Sequence, residues 1–106
     1  MNSVICTVFE GHYHHGVAAL SNSLFKNGFR GTIYIGFRGL LPTWILKGKS
    51  TTIGKWNDAI ILNPGNGIEL IFLPLLTSYS LTNYKPDFML ELWDGPAKDA
   101  DALFYF

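Results

Sequence analysis

The chain has 106 residues, of which 48% are apolar and 15% aromatic, enough for one domain with a buried core. Eight basic and eight acidic side chains give a formal net charge of zero, and the basic residues are scattered rather than clustered, which argues against a nucleic-acid-binding surface. The single cysteine, Cys6, cannot form an internal disulfide, so a reducing compartment, the cytoplasm, is the expected location. Residues 1–3 provide no basic region ahead of an apolar stretch, so no signal peptide is expected. The longest apolar run, near residues 68–76, is broken by Glu69 and Pro74, so no membrane span is expected.

The first predicted elements are a buried strand and a helix. Residues 4–10 form an apolar, β-branched run that breaks at Gly11. Four apolar residues then recur at helical spacing, before a glycine that can close the helix: Tyr13, Val17, Leu20 and Leu24, followed by Gly28. Ligands of open parallel sheets collect outside the carboxyl ends of the strands, so residues 7–16 are where a site is expected first.

The middle of the chain predicts more strands. In residues 32–37 the side chains expected on both faces of a strand are apolar, apart from Thr32. This pattern is typical of a strand that is covered on both faces, and we expect it to lie parallel to the first strand. The pattern loosens over residues 38–58, which we interpret as a long surface connection with one short helix near Thr43. Residues 59–62 and 68–73 then predict strand, turn and strand, compatible with a hairpin.

A second helix and a last strand complete the predicted order. Pro86 marks the expected start of this helix and Gly95 with Pro96 its end. The apolar residues at helical spacing are assigned to core packing: Phe88, Met89, Leu92 and Trp93. Residues 102–106 form a final apolar strand. The order predicts one α/β domain over residues 1–106, Rossmann-like, with a mostly parallel sheet of about four strands and flanking helices.

Short motifs exclude some chemistries and leave others open. The sequence at Lys49 and Ser50 is not a P-loop, because Thr43 stands where the first glycine is required. A dinucleotide fingerprint also fails, since only Gly11 and Gly16 follow the first strand closely. Three histidines suit zinc, but the chain offers no further histidine and only a buried cysteine to complete a site: His12, His14 and His15. A metal site, polar ligand contacts and ordinary solvated histidines are the three interpretations of this group.

Polar side chains are also expected at the carboxyl edge of the sheet. They are Thr7, Glu10, Arg38 and the loop of residues 82–85. A lysine and an arginine that reach one crevice would suit an anionic group such as a pyrophosphate. The alternative is that Lys85 caps a helix and Arg38 is simply solvated.

Two stretches together resemble a known family. Residues 6–24, continuing to residues 28–31, resemble the opening of nucleotide-sugar-dependent glycosyltransferases with the GT-A-type nucleotide-diphospho-sugar fold. There, the first strand leads into a loop with an aromatic residue and a helix that ends in a serine-leucine pair. Residues 81–93 and 102–106 are similar to the helix and apolar strand that run into the aspartate-x-aspartate metal motif of that family.

This resemblance implies a nucleotide-sugar-binding site and a partial GT-A-type domain. It implies that Thr7, Phe9, Glu10 and Tyr13 surround the base and ribose of the donor, and that Arg38 lies on the same side. By the same resemblance, Asn83 and Lys85 face the sugar nucleotide or its phosphates. The chain stops at Phe106, where the aspartates would begin, so a divalent metal (Mn or Mg) is expected only with those downstream residues and the isolated chain is not expected to be catalytic.

An interpretation from a different class remains beside this one. The chain is then a small non-enzymatic α/β module that forms a homodimer, or pairs with a partner chain, through its apolar last strand. A third interpretation is a metal-binding module built on the three histidines.

Overall fold

The computed structural model describes residues 3–10, 14–39, 41, 43–63, 67–76 and 80–105, and of residues 14, 15 and 82 it describes the backbone only. These residues form six strands and three helices, which are, in chain order, β1 Ser3–Glu10, α1 His14–Lys26, β2 Gly31–Arg38, α2 Thr43–Leu46, β3 Lys49–Ile53, β4 Trp56–Leu62, β5 Ile68–Pro74, α3 Leu81–Trp93 and β6 Ala102–Tyr105.

The described strands form one mixed sheet in the order β3-β4-β5-β2-β1-β6. Strands β5, β2, β1 and β6 are mutually parallel, while β4 and β3 continue the sheet as antiparallel strands. The predicted α/β class is confirmed. The predicted sheet of about four mostly parallel strands describes only part of it, because an antiparallel hairpin extends the parallel strands to a six-stranded sheet.

Strands β1, β2 and β5 are largely buried because helices cover both faces of the sheet. Along β1, Val4 and Cys6 belong to the core beneath α3, whereas Ile5 and Phe9 belong to the core beneath α1 and α2. Cys6 is fully buried, and this burial raises the pKa of its thiol to about 11. Its predicted role as a small core residue is confirmed.

The helix predicted after the first strand is confirmed. Val17 and Ser21 are buried on its inner face, and Leu24 packs partly buried against the same core. Gly28 adopts a φ of +89° just after the helix, and the Phe29 amide donates to the Leu24 carbonyl at 2.9 Å. The predicted contribution of Tyr13 to this face lies outside the described residues.

The segment interpreted as a surface connection is largely a hairpin. The short helix near Thr43 is confirmed as α2, whose Ile45 is fully buried. The rest of that prediction is wrong, because residues 49–53 form β3 and residues 56–58 begin β4. The polar sequence of β3 carries no clear alternation, so its conformation depends on the ladder with β4, in which Lys49 pairs with Ile61.

The second helix begins earlier than predicted. It starts at Leu81, after Ser80, whose hydroxyl accepts a hydrogen bond from the Asn83 amide at 3.3 Å. Pro86 therefore lies inside α3 rather than at its start, and residues 82–85 are helical rather than a loop. The helix can begin before Pro86 because the Ser80 hydroxyl accepts from a backbone amide of the first turn. Pro86 removes only one backbone hydrogen-bond donor from the turn that follows. The helix ends at Trp93, as the glycine and proline that follow predicted.

The last predicted strand is confirmed as β6, which pairs in parallel with β1 so that Tyr105 lies opposite Cys6. On its other side, β1 pairs with β2. Within the described part of the chain, no helix is long and apolar enough to cross a membrane.

Candidate functional site

The path of the chain creates a switch point between β1 and β6. From β1 the chain passes through α1 to β2, and β5 lies further out on the same side. From β5 it returns through α3 to β6, on the other side of β1. The cores beneath α1 and α3 lie on opposite faces of the sheet, so the two connections diverge at this point. A crevice at the carboxyl ends of strands where the order reverses is the usual ligand position in such sheets.

Lys85, Tyr105 and Thr7 come together beside this switch point. The Lys85 ammonium lies over the Tyr105 ring, 4.8 Å from its centre. Burial raises the pKa of Tyr105, while hydrogen bonds from the Thr7 side chain and the Val8 backbone act in the opposite direction. Thr7 itself is 9% exposed. The two predicted site residues are therefore linked through Tyr105, which the sequence analysis assigned only to a strand.

Glu10 and Arg38 form an ion pair at the carboxyl ends of β1 and β2. The two residues are paired in the parallel ladder, and Arg38 Nε donates to Glu10 Oε2. This hydrogen bond lowers the pKa of Glu10 and raises that of Arg38. Both side chains are partly exposed, so the pair fixes their positions more than it stabilises the fold. The sequence placed both residues at this edge but did not predict that they would bind each other.

The remaining predicted site residues are not gathered at one point. The Phe9 ring is buried, stacked 6.2 Å from Phe37, so it supports the end of β1 from within the core. Asn83 lies exposed in the first turn of α3. Tyr13 lies outside the described residues.

The histidine group cannot be placed in this site. His12 and the side chains of His14 and His15 are outside what the structure describes. Among the side chains that are described, no group of three histidine, cysteine or acidic residues could hold a metal ion. Glu10, the acidic residue at the end of β1, is paired with Arg38. We therefore assign no metal to the described residues.

A second polar cluster, which the sequence analysis missed, joins α3 to the β3–β4 turn. The Tyr84 hydroxyl donates to Glu91 Oε1 at 2.5 Å, and Glu91 Oε2 forms an ion pair with Lys55. Burial and the bond to Glu91 raise the pKa of Tyr84. Tyr84 and Glu91 lie seven residues apart, which places them on one helix face, a signal available in the sequence. Lys55 could not be identified in the same way, because its turn was not predicted.

Comparison of the chain with protein-family models, with curated proteins and with solved structures gave no match. The geometry at the carboxyl edge of the sheet is therefore the basis on which a function is inferred.

Proposed function

We propose that this chain binds the nucleoside diphosphate part of a nucleotide sugar, as the nucleotide-binding portion of a glycosyltransferase-like protein. The observation that carries the proposal is the reversal of strand order between β1 and β6, with Lys85 and Thr7 beside it. Counted along the chain, the parallel strands run in the order third, second, first and fourth, as in the first strands of many dinucleotide-binding sheets. The nucleotide is then held at the crevice between β1 and β6.

The side chains at this edge suit the parts of such a ligand. The Lys85 ammonium can compensate phosphate charge. Asn83, two residues before it on α3, stays a predicted contact with the sugar nucleotide. The Glu10 carboxylate can accept hydrogen bonds from ribose hydroxyls while Arg38 holds it in place. Thr7 and Tyr105 form the inner wall. Tyr13 stays a predicted contact with the base or ribose.

Catalysis is not proposed for these residues by themselves. Loss of a nucleoside diphosphate leaving group calls for charge compensation that is usually supplied by a divalent metal. In the proposed whole protein, Mn or Mg would be held by aspartates outside this stretch. A reducing compartment such as the cytoplasm suits the buried, unpaired thiol of Cys6.

The test is a titration of the ¹⁵N-labelled chain with uridine diphosphate and guanosine diphosphate in the presence of Mg²⁺. We expect amide shifts at Thr7, Val8, Lys85 and Tyr105. Lys85→Gln should weaken binding about tenfold, since a charged contact with phosphate is lost. Lys26→Gln is the matched control, because Lys26 is the last residue of α1 and lies towards the amino ends of the strands. A folded chain that shows no shifts at millimolar ligand would contradict the proposal.

A second candidate function is association through β6. This strand pairs with β1 on one side, and its Phe104 is 51% exposed. A second copy could extend the sheet by pairing with the outer edge of β6. Sedimentation equilibrium should then show a concentration-dependent dimer, and Phe104→Ser should weaken it. A monomer at millimolar concentration would exclude this candidate.

A further inference from the structure

A separate groove of about 590 Å³ opens on the antiparallel side of the same sheet edge. It lies where β2 and β5 end and β4 begins, on the other side of β2 from the switch point. Its apolar walls include Phe37, Leu41, Ile60 and Leu75, and its polar lining includes Lys55 and Asp58. This volume lies within the range of about 300–1,000 Å³ that is usual for small-molecule sites.

A β-bulge brings Asp58 to this groove. In the β3–β4 ladder, Trp56 pairs with Ile53 and Ala59 with Thr51, so two residues of β4 stand opposite one residue of β3. Asp58 is one of these two and has a φ of +60°, in the left-handed region that few residues other than glycine adopt. Bulges and strained residues of this kind recur beside functional sites, where they redirect a side chain.

The charge of the groove is set by Asp58, because the charge of Lys55 is compensated. The Lys55 ammonium is paired with Glu91 and lies 5.4 Å from the centre of the Trp56 ring. Tyr84 holds Glu91 in place from the opposite carboxylate oxygen. Asp58, in contrast, makes no ion pair within the described residues. The polar lining therefore favours a positive charge on a ligand.

We propose that this groove binds a small ligand that carries an ammonium group on an apolar or aromatic body. The ammonium pairs with Asp58, and the body lies against Phe37, Leu41 and Leu75. This site is distinct from the proposed nucleotide site, and it does not depend on the proposed function.

Three probes of matched shape and different charge test the proposal on the full chain. They are phenethylammonium, the neutral 2-phenylethanol and the anionic 3-phenylpropionate. We expect amide shifts at Asn57, Asp58 and Leu75, with the ammonium binding about fivefold more tightly than the alcohol, as one partly exposed ion pair allows. The carboxylate should bind most weakly. Equal or tighter binding of the carboxylate would overturn the proposal.

Two substitutions separate the charge of Asp58 from its backbone role. Asp58→Asn removes the charge, and asparagine tolerates the same positive φ, so the fold is preserved. This variant should bind the ammonium no better than the alcohol. Asp58→Gly provides a second variant, which removes the carboxylate without backbone strain and should show the same loss. Unchanged ammonium affinity in both folded variants would contradict the proposal.

Lys55→Gln gives a prediction of opposite sign. It leaves Glu91 without its ion-pair partner, so the affinity for the ammonium should rise severalfold. If the groove instead selected an anion, Lys55→Gln would remove the cation that binds it. Loss of 3-phenylpropionate binding with no gain for the ammonium would therefore exclude the proposed charge preference. Glu69→Gln is the control and should change neither affinity, because Glu69 lies near the amino end of β5, five residues before Pro74 in the groove.

Shifts at the two sites are distinguishable in the same spectra. Nucleoside diphosphates should move Thr7 and Tyr105, whereas the ammonium probe should move Asn57 and Asp58. Either proposal can therefore fail while the other holds.

Discussion

The four parallel strands and the β3–β4 hairpin belong to one sheet but are held by different interactions. On β2, Ile33 and Ile35 are almost fully buried, as are Phe72 and Leu73 on β5. The residues of β3 are exposed or half-buried. Burial of apolar surface on both faces therefore stabilises β2 and β5, whereas β3 depends on its ladder with β4 and on the Lys55–Glu91 pair at the turn. One sheet thus contains a part that is strongly specified by burial and an edge that is weakly specified.

The largest effect should come from emptying the core beneath α3. Phe88 is fully buried and packs edge-on against Trp56, with ring centres 6.2 Å apart. Phe88→Ala should lower the free energy of unfolding in urea by about 3–5 kcal/mol. Thr51→Ala in β3 is the comparison and should lower it by less than about 1 kcal/mol. Equal losses would show that stability is not concentrated beneath the helix.

A smaller loss is expected from overpacking the same face. A Cβ added at Gly36 would lie 2.9 Å from Leu75 Cδ1 and 3.1 Å from Phe88 Cζ. Gly36→Ala should therefore destabilise the chain by about 1–3 kcal/mol in denaturant titration. A Cβ added at Gly16 on α1 would meet none of the described atoms within 4 Å, so Gly16→Ala should instead stabilise the chain by up to about 1 kcal/mol. If both substitutions changed the free energy of unfolding in the same direction, the surroundings of the two glycines would not differ as described.

The cap of α3 should contribute less than its core. Ser80→Ala removes the acceptor for the Asn83 amide and should lower the free energy of unfolding by about 1 kcal/mol. Ser80→Asp keeps an acceptor at this position and should recover most of that loss. If the alanine variant is as stable as the wild type, the start of α3 does not depend on this cap.

The smallest effect concerns the link between α3 and the hairpin, and it depends on pH. The pKa of Tyr84 is raised above its ordinary value of 10.0, so the unfolded chain loses this proton first. The stabilisation is then complete below pH 10 and is lost as the pH rises through the higher folded-state pKa. In urea titrations above pH 10, the free energy of unfolding should fall more gently for Tyr84→Phe than for the wild type. Parallel pH profiles would show that burial and the bond to Glu91 do not raise the pKa of Tyr84.

The sequence predicted those elements whose apolar periodicity agrees with their burial. Strands β1, β2 and β5 were identified because nearly every residue in a covered parallel strand is apolar. Strand β3 was missed because a polar edge strand has no such pattern. The start of α3 was misplaced because Pro86 is a strong local signal for a helix start. Ser80, in contrast, acts as a cap only once its hydroxyl meets the Asn83 amide in the folded chain.

The candidate site divides in the same way. The sequence indicated Thr7, Glu10, Arg38 and Lys85, since they lie near the ends of predicted strands and helices. It did not indicate Tyr105 as the link between Thr7 and Lys85, because that contact depends on β6 pairing with β1 rather than with β5. Asp58 was also missed, because its conformation depends on a bulge in an unpredicted hairpin.

The sequence alone determined the α/β class, the covered strands and the position of Cys6 in the core, because local periodicity reports burial directly. Only the tertiary structure decided the strand order, and with it the switch point between β1 and β6 and the groove beside Asp58. Both depend on which distant strands become neighbours, and that choice is made by packing over the whole sheet rather than by any single segment.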